Sequence, residues 1–476
     1  MTGSTSLFAL GPNALLSAVG LWRGPDPTVP TPAERWQDAR VDVVIAADRQ
    51  QHDIVYCLAG LLRQSLRPES VVLIDDGGSD RDGTAQIARE FARANGLKLS
   101  VIEQMWSFGR TSTIKRQARE FKGDVQVVLD AGTVLESPDY IERCVRELYQ
   151  GVGIASACGT LLPLRGYDRR RWAQSAEFAH WIGHDVYLDP ALHRDWLHRL
   201  LWWMGNSYRE SVGAVQQRFL NRGQMALFGD VGHPVGAAVA YRRRYLKDLF
   251  DRYEPLYGDE LTALPDLFIA FALSNEGYRN VQVAEVQARA LGPEIQHMPQ
   301  LTRRAIAAFL QSCRDFDGLL RTPMRWPRRW WRQRRDRARA QAPRWRDARR
   351  IAEAYRQPFG ERLTRQQGRP IGWALFFVAI EKIAFPLGLL LLAASGWWIA
   401  LALIIAAECL LSLGLLLAVS PGASARSLLK GVLAIPMRYG LMLVELATVV
   451  GFILRRPVRT DRRRQRDLES LEDPNT

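Results

Sequence analysis

Three continuous runs of β-branched and aliphatic residues constrain the fold of this chain more than any other feature. The runs are VDVVIAA (residues 41–47), SVVLI (70–74) and VQVVL (125–129). Uniformly apolar runs of this length are typical of strands that are buried on both faces of a parallel sheet. Helical patterns separate them, at 54–64, 83–95 and 112–121, and a further strand pattern covers 97–104. This alternation predicts an α/β domain with a mostly parallel sheet, whose strands are joined by right-handed crossovers.

Acidic residues follow two of the predicted strands. Asp75 and Asp76 precede a glycine-rich turn, and Asp130 precedes Ala131 and Gly132. Ligands of parallel sheets bind at the carboxyl ends of the strands, where such carboxylates can hold ribose hydroxyls, a base edge or a divalent cation. Ordinary turn aspartates and helix-capping aspartates give the same patterns. Both interpretations therefore stay open for each motif taken alone.

The last third of the chain contains three long apolar runs. Residues 371–395 and 397–419 are each long enough to cross a bilayer, and the short break between them predicts a membrane hairpin. The third run, 432–454, contains Arg438 and Glu445. It is therefore either a further span or a segment that lies in the membrane interface.

The net charge of +14 is concentrated in one segment. Residues 325–369 hold sixteen arginines against four acidic residues, and four tryptophans lie among them. A basic belt beside apolar runs favours anionic lipid headgroups over nucleic acid, and docking of a partner protein is a further alternative. The five cysteines show neither paired nor metal-ligand spacing, which indicates reduced thiols and excludes a disulfide scaffold.

Six motifs, in chain order, resemble those of family 2 glycosyltransferases with the GT-A fold. On the donor side, IDDGGSDRDGT (74–84) resembles a VDDGSTDGT-type turn, FGRTSTIKRQA (108–118) a GKAxALN segment, and LDAGT (129–133) the DxD motif. On the acceptor side, GHPVGAAVAYRRRYL (232–246) resembles a strand with glycine and arginine, LPDLFIAFALSNEGY (264–278) the TEDxxxxxxLxxxGY signature, and QLTRR (300–304) the QxxRW motif. The last two are typical of processive, membrane-integrated polysaccharide synthases of the cellulose, chitin, hyaluronan and alginate synthase type. The resemblance implies a GT-A, Rossmann-like catalytic domain, followed by interface helices and C-terminal transmembrane helices.

The resemblance also implies a role for each matching residue. A nucleotide-sugar donor would be bound by Ala47, Asp48, Asp75, Asp76, Arg110 and Asp130. Asp130 would in addition hold Mg²⁺ or Mn²⁺ on the donor diphosphate, where a Lewis acid stabilises the leaving charge. Asp266 would be the general base that deprotonates the acceptor hydroxyl, and attack from the opposite face inverts the anomeric centre. Gln300, Arg303 and Arg304 would contact the acceptor or the diphosphate.

Several positions depart from the family pattern. Gly132 replaces the second acid of DxD, Pro265 replaces the glutamate beside the base, and Arg304 replaces a tryptophan. The first strand ends in AADRQ rather than PxYNE. The hypothesis that accommodates Gly132 is a metal held by Asp130, the diphosphate and water, with Glu136 as a possible distal ligand.

These features together predict an enzyme that extends a polysaccharide at the membrane by inverting transfer. One alternative is transfer of a single sugar to a polyprenyl phosphate or other lipid, and another is a non-catalytic scaffold subunit, which the departures favour. The expected partners are the donor, a polymeric or lipid-linked acceptor, membrane lipids and other subunits of a synthesis or export complex, but not nucleic acid. The expected location is the inner membrane, as a multi-pass protein with its catalytic domain in the cytoplasm.

The predicted organisation has five parts. They are an N-terminal membrane-interface segment and linker (1–40), the GT-A domain (41–300), an amphipathic and basic interface region (301–370), a transmembrane region (371–456) and a tail that is first basic and then acidic (457–476).

Overall fold

The computed structural model describes most of the 476-residue chain. The described residues are 8–24, 35–77, 82–105, 108–150, 153–181, 196–232, 234, 236–257, 264–339, 369–420 and 425–454. Part of the glycine-rich turn (78–81), much of the basic belt (340–368) and the C-terminal tail (455–476) therefore lie outside the described residues.

The strands of the described residues form one eight-stranded sheet. They are β1 Val41–Ala47, β2 Ser70–Asp75, β3 Leu99–Glu103, β4 Val125–Asp130, β5 Thr133–Leu135, β6 Ile154–Pro163, β7 Ala238–Arg242 and β8 Arg279–Ala290. The strand order is β3-β2-β1-β4-β7-β6-β8-β5. Strands β1 to β4 pair in parallel, as do β6 and β8, whereas β7 is antiparallel to both β4 and β6, and β5 is antiparallel to β8. The predicted α/β domain with a mostly parallel sheet is confirmed.

Helices cover both faces of the sheet and continue into the C-terminal part of the chain. In chain order they are α1 Pro12–Arg23, α2 Ile54–Leu62, α3 Thr84–Ala94, α4 Gly109–Glu120, α5 Tyr140–Gln150, α6 Gly166–Ala173, α7 Ala176–Ala179, α8 Trp196–Val215, α9 Arg222–Phe228, α10 Arg243–Tyr257, α11 Pro265–Glu276, α12 Met298–Asp315, α13 Asp317–Leu320, α14 Thr322–Arg339, α15 Gly372–Ala394, α16 Trp398–Val419 and α17 Ala425–Leu454. A π-helical turn, Gln216–Asn221, joins α8 to α9.

Helix α11 is buried along its whole length. Every one of its twelve residues is buried, including Asp266 in its first turn. Pro265 is the first residue of the helix, a position that suits proline because no intrahelical partner exists for its missing N–H. The replacement of a glutamate by Pro265 therefore fits the start of this helix, and the buried surroundings fix the position of Asp266.

Helices α15, α16 and α17 are each long and apolar enough to cross a membrane. The third apolar run of the sequence lies within α17, and its two charged residues are paired with neighbouring helices. Arg438 pairs with Glu408 of α16, and Glu445 lies 3.1 Å from Nζ of Lys382 of α15. Pairing of this kind reduces the cost of charged side chains among apolar helices, so the charges do not exclude α17 as a span.

The N-terminal helix α1 packs against this helical group. Its residues contact α9 and α15. The carboxylate of Glu408 accepts hydrogen bonds from the N–H groups of Ala9 and Leu10, at 2.7 and 2.8 Å, and Glu381 accepts one from the N–H of Asn13 at 2.6 Å. Glu381 thereby satisfies an N–H group that the first turn of α1 leaves without an intrahelical partner, and Glu408 binds the backbone just before the helix.

Several of the described helices join the sheet-containing part of the chain to the apolar helices. Helix α8 contacts α16 and α17, and α12, which includes much of the predicted interface helix, contacts α17. Helix α8 also contacts β6, and α12 also contacts α11.

Candidate active site

Arg110 joins two carboxylates that are far apart in the sequence. Its Nη1 lies 2.6 Å from Oδ2 of Asp266, and its Nη2 lies 3.1 Å from Oδ1 of Asp130. The three side chains are mostly buried, with exposed fractions of 18% for Arg110, 25% for Asp130 and 10% for Asp266. The structure thus brings together three residues that the sequence predicted as site residues.

Each member of this group lies at the end of a regular element. Asp130 is the last residue of β4, and its N–H donates to the carbonyl of Ala237 at 3.0 Å. Arg110 is in the first turn of α4, which begins with Gly109 at a φ of 79°. That left-handed conformation is open to glycine at little cost, so Gly109 allows the sharp entry into the helix.

Gly236 is the backbone element that closes the group. Its carbonyl accepts a hydrogen bond from Nη2 of Arg110 at 2.6 Å. A β-carbon at this position would lie 2.0 Å from Oδ2 of Asp266, so only glycine fits beside the carboxylate as it stands. The sequence analysis identified the surrounding strand but not this contact, which joins positions 30 residues apart.

The charges of the group depend on one another. Burial raises the pKa of Asp266, and the adjacent Arg110 opposes this effect. Burial disfavours the charge of Arg110, but the carboxylates of Asp130 and Asp266 outweigh it and raise the pKa of the guanidinium above its ordinary value. The other oxygen of Asp266, Oδ1, is buried and has no hydrogen-bond partner within the described residues. A buried carboxylate with a raised pKa and an available oxygen is suited to accept a proton.

Asp76 connects the second strand to the helix that carries Arg110. Its two carboxylate oxygens accept the N–H groups of Phe108 and Gly109, each at 2.8 Å. Its own N–H donates to the carbonyl of Ala47 at 2.9 Å. Asp76 therefore fixes the start of α4, and contact with a donor through the same carboxylate stays a prediction.

The remaining predicted donor residues lie around Asp76. Asp75 is buried, and its Oδ1 accepts the N–H of Gly77 at 3.2 Å. Asp48 is exposed and lies 3.3 Å from Nε of Arg49. Donor contacts of these residues, like that of Ala47, stay predictions.

The surroundings of Gly132 are relevant to a metal ion. The described residues contain no group of three His, Cys, Asp or Glu side chains that could hold a metal by themselves. Beside Gly132, however, Oε1 of Gln50 is buried and has no hydrogen-bond partner within the described residues, and it lies 3.5 Å from where a β-carbon of residue 132 would be. Carboxylate and amide oxygens are ligands that Mg²⁺ and Mn²⁺ accept, usually together with phosphate oxygens and water. These donors fit a cation that also binds the diphosphate of a substrate.

Glu136, the possible distal metal ligand, is engaged by arginine side chains. Its carboxylate pairs with Arg171 and lies 3.1 Å from Nε of Arg289. Two guanidinium groups already balance its charge in this arrangement, and its role as a distal metal ligand stays a prediction.

The predicted acceptor residues lie on the surface of α12. Gln300, Arg303 and Arg304 are all exposed. The ion pairs that the structure gives for Asp130 and Asp266 are with Arg110 rather than with these three residues. Their contact with the acceptor or the diphosphate stays a prediction.

Comparisons with known proteins find sequence similarity to a sugar transferase. Among curated proteins, the chain is 31% identical over 121 residues to the undecaprenyl-phosphate 4-deoxy-4-formamido-L-arabinose transferase of Edwardsiella ictaluri, a match that covers 24% of this chain and 35% of that protein. The chain therefore matches only about a third of the length of this curated relative.

Two solved structures illustrate the range of structural likeness. The mannosyltransferase PcManGT from Pyrobaculum calidifontis, in complex with GDP-Man and Mn²⁺, has a TM-score of 0.49 and 16% identity, over 92% of this chain and 93% of that chain. Glucosyl-3-phosphoglycerate synthase from Mycobacterium tuberculosis, in complex with Mn²⁺, UDP and phosphoglyceric acid, has a TM-score of 0.35 and 14% identity, over 58% and 79% of the two chains.

The family model for glycosyl transferase family 2 matches residues 42–250. This range contains Asp76, Arg110 and Asp130 together with the four parallel strands that carry or adjoin them. Over these residues the chain is therefore similar to glycosyltransferase family 2.

Proposed function

We propose that this protein transfers a glycosyl group, with inversion, from a nucleotide sugar to an acceptor at a membrane. The observation that carries the proposal is the contact of one guanidinium, Arg110, with both Asp130 and Asp266. A donor-side and an acceptor-side carboxylate are thereby held in one partly buried site, as a displacement at the anomeric carbon requires.

Each member of the group has a distinct task in this proposal. Asp130 and the amide oxygen of Gln50 would hold Mg²⁺ or Mn²⁺, which supplies Lewis-acid stabilisation of the departing diphosphate. Asp266 accepts the proton of the attacking hydroxyl through Oδ1. Arg110 keeps Asp266 oriented, and its positive charge limits how far burial raises the pKa of the base. Asp76 contributes by fixing the start of the helix that carries Arg110.

The acceptor is proposed to be a growing polysaccharide or a lipid-linked saccharide. The spacing of Asp266 and Gly277 supports a hydroxyl acceptor, because that spacing resembles the signature of the polysaccharide synthases. Three helices that could cross a membrane support an acceptor that stays in or near the bilayer. The name of the Edwardsiella relative supports a second candidate, transfer of a single sugar to undecaprenyl phosphate.

The proposed location is the inner membrane, with several crossings and the catalytic domain in the cytoplasm. Nucleotide sugars are charged and water-soluble, so the site must face the aqueous side on which they are present. Partner subunits of a synthesis or export complex are part of the same proposal.

The test uses the full-length protein in detergent or nanodiscs with Mn²⁺ and a panel of radiolabelled nucleotide sugars. The expected result is release of nucleoside diphosphate with one donor and incorporation of label into a polymer or a lipid-extractable product, and the product class identifies the acceptor. Asp130→Ala should lose Mn²⁺-dependent binding of the nucleoside diphosphate, whereas Asp266→Asn should keep that binding and lose transfer.

A non-catalytic scaffold remains the competing function. It predicts no turnover with any donor and wild-type product formation in cells that carry Asp266→Asn. Either of these two results would overturn the proposed enzymatic function.

A further inference from the structure

Arg209 lies next to the metal-binding end of the site. Its Nη1 donates to the carbonyl of Leu291 at 3.2 Å, and the N–H of Leu291 donates to the carbonyl of Gly132 at 3.1 Å. Trp202, two turns earlier on α8, donates through its indole N–H to the carbonyl of Gly292 at 3.1 Å. Helix α8 is therefore anchored to Leu291 and Gly292, and Leu291 in turn bonds Gly132.

Among the described residues, no carboxylate pairs with Arg209. Within the described residues it forms no ion pair, and its one hydrogen bond is to a backbone carbonyl. The adjacent acid, Glu210, is already engaged by Arg165 and by Lys430, whose Nζ lies 3.0 Å away. Burial without an acidic partner lowers the pKa of Arg209 to about 10, so the group is still protonated at neutral pH. A partly buried guanidinium with unused donors is suited to an anionic ligand.

The position of Arg209 on α8 indicates where that ligand comes from. The first turns of α8 expose large apolar side chains, with exposed fractions of 70% for Trp196, 42% for Leu200 and 41% for Trp203. Further along, α8 contacts α16 and α17, two of the helices that could cross a membrane. A helix that lies at the level of lipid headgroups typically exposes tryptophan and leucine and also carries arginine. Helix α8 has this composition and contacts helices that could cross a membrane.

We propose that Arg209 binds a phosphate group of a membrane-lipid-linked acceptor and so holds the acceptor beside the donor site. This inference rests on the proposed function. A guanidinium presents several N–H donors in one plane, and it can bind two phosphate oxygens while one N–H stays on Leu291. A phosphate at Arg209 lies between the exposed apolar turns of α8 and the Gly132 end of the site, as a lipid-linked substrate requires. The diphosphate of the donor is the other source of the same chemistry.

The experiment measures binding to the full-length protein in phosphatidylcholine nanodiscs, with farnesyl phosphate as the probe and farnesol as its uncharged reference. The wild type is expected to bind farnesyl phosphate at least about tenfold more tightly than farnesol. Arg209→Met should remove this preference. The matched control is Arg199→Met, which removes an exposed arginine from the same helix and should keep the preference. If Arg209→Met does not fold, Arg209→Gln replaces it, because the amide can still donate to the carbonyl of Leu291.

Three outcomes decide the inference. Loss of the phosphate preference in the Arg209 variant, with unchanged binding of Mn²⁺ and nucleoside diphosphate, supports it. Retention of the preference overturns it, and so does a loss confined to nucleoside diphosphate binding, since that result assigns Arg209 to the donor. Because binding is read without turnover, a wild type that prefers farnesyl phosphate but uses no nucleotide sugar would refute the proposed function and not the phosphate subsite.

Discussion

Replacement of Gly236 by alanine tests the position of the proposed base without changing any of the charged groups. The added β-carbon would lie 2.0 Å from Oδ2 and 2.2 Å from Cγ of Asp266. Non-bonded carbon and oxygen atoms are at their optimum separation at roughly 3.5 Å, so one of the two groups has to move by more than about 1 Å. Asp266 cannot move with its helix, because all twelve residues of α11 are buried. The movement therefore falls on the side chain of Asp266 and on the loop of Gly236.

The magnitude of the effect follows from this displacement. A misplacement of about 1 Å at a reacting group costs about 10²-fold in rate, and overpacking of a buried position costs about 1–3 kcal/mol of stability. We expect kcat to fall about a hundredfold, because both Asp266 and the carbonyl that binds Arg110 are displaced. The KM for the nucleotide sugar should change little, since Asp76 and Asp130 are not touched by the new methyl group.

The assay is continuous release of nucleoside diphosphate, combined with thermal unfolding and Mn²⁺-dependent nucleotide binding. The matched control is Gly166→Ala, because a β-carbon there meets no atom within 4 Å. The control should keep the wild-type rate and stability. A Gly236→Ala protein that is folded, binds nucleotide and turns over at the wild-type rate would refute the assignment of Asp266 as the base.

Three further outcomes are expected. Asp266→Asn should lower kcat by about 10²–10⁴-fold. In the wild type, kcat should fall as pH falls through the pKa of Asp266, which burial raises above that of an ordinary aspartate. A pH profile whose acidic limb lies at the ordinary aspartate value would contradict this assignment. Gly132→Asp should be tolerated, because the nearest atom lies 3.5 Å from the new β-carbon. The second carboxylate should tighten Mn²⁺ binding in the presence of nucleoside diphosphate by about tenfold or more, as measured by titration. Unchanged affinity would argue against a cation at this position. Arg169→Met should destabilise the fold by about 3–5 kcal/mol, since it leaves Asp53 charged and only 10% exposed. Replacement of the exposed Arg116 by methionine should cost under about 1 kcal/mol. Equal shifts in thermal unfolding would refute the larger contribution of the buried pair to stability.

The parallel half of the sheet could be predicted because its signals are local. The runs at 41–47, 70–74 and 125–129 are uniformly apolar, and each forms a strand within a residue or two of the expected bounds. The antiparallel strand β7 is different, because nothing in its five residues indicates that it lies between β4 and β6. Its position depends on pairing with strands about 80 to 115 residues away, which periodicity does not report.

Charged residues likewise could not be assigned where their partners are distant in the sequence. Arg438 and Glu445 left the third apolar run open between a span and an interfacial segment, because their partners are on other helices. Gln50 ends the AADRQ segment that departs from the family motif, and Arg209 belongs to no motif that the sequence analysis identified. Only the fold brings Gln50 beside Gly132, and Arg209 beside Leu291, which bonds Gly132. Asp76 was predicted from a motif, but its hydrogen bonds to the start of α4 give it a structural task that the motif does not reveal.

Arg110 links the donor and acceptor halves of the proposed reaction. Without substrate, its positive charge is shared between Asp130 and Asp266, so neither carboxylate carries a full uncompensated charge in a partly buried site. A divalent cation at Asp130 would supply positive charge there and weaken the attraction of Asp130 for the guanidinium, while the diphosphate would offer Arg110 new oxygens. Any shift of Arg110 towards those oxygens loosens its contact with Asp266 and raises the proton affinity of that carboxylate. The base would then become most basic when the donor is bound, which couples deprotonation of the acceptor to the presence of a sugar to transfer.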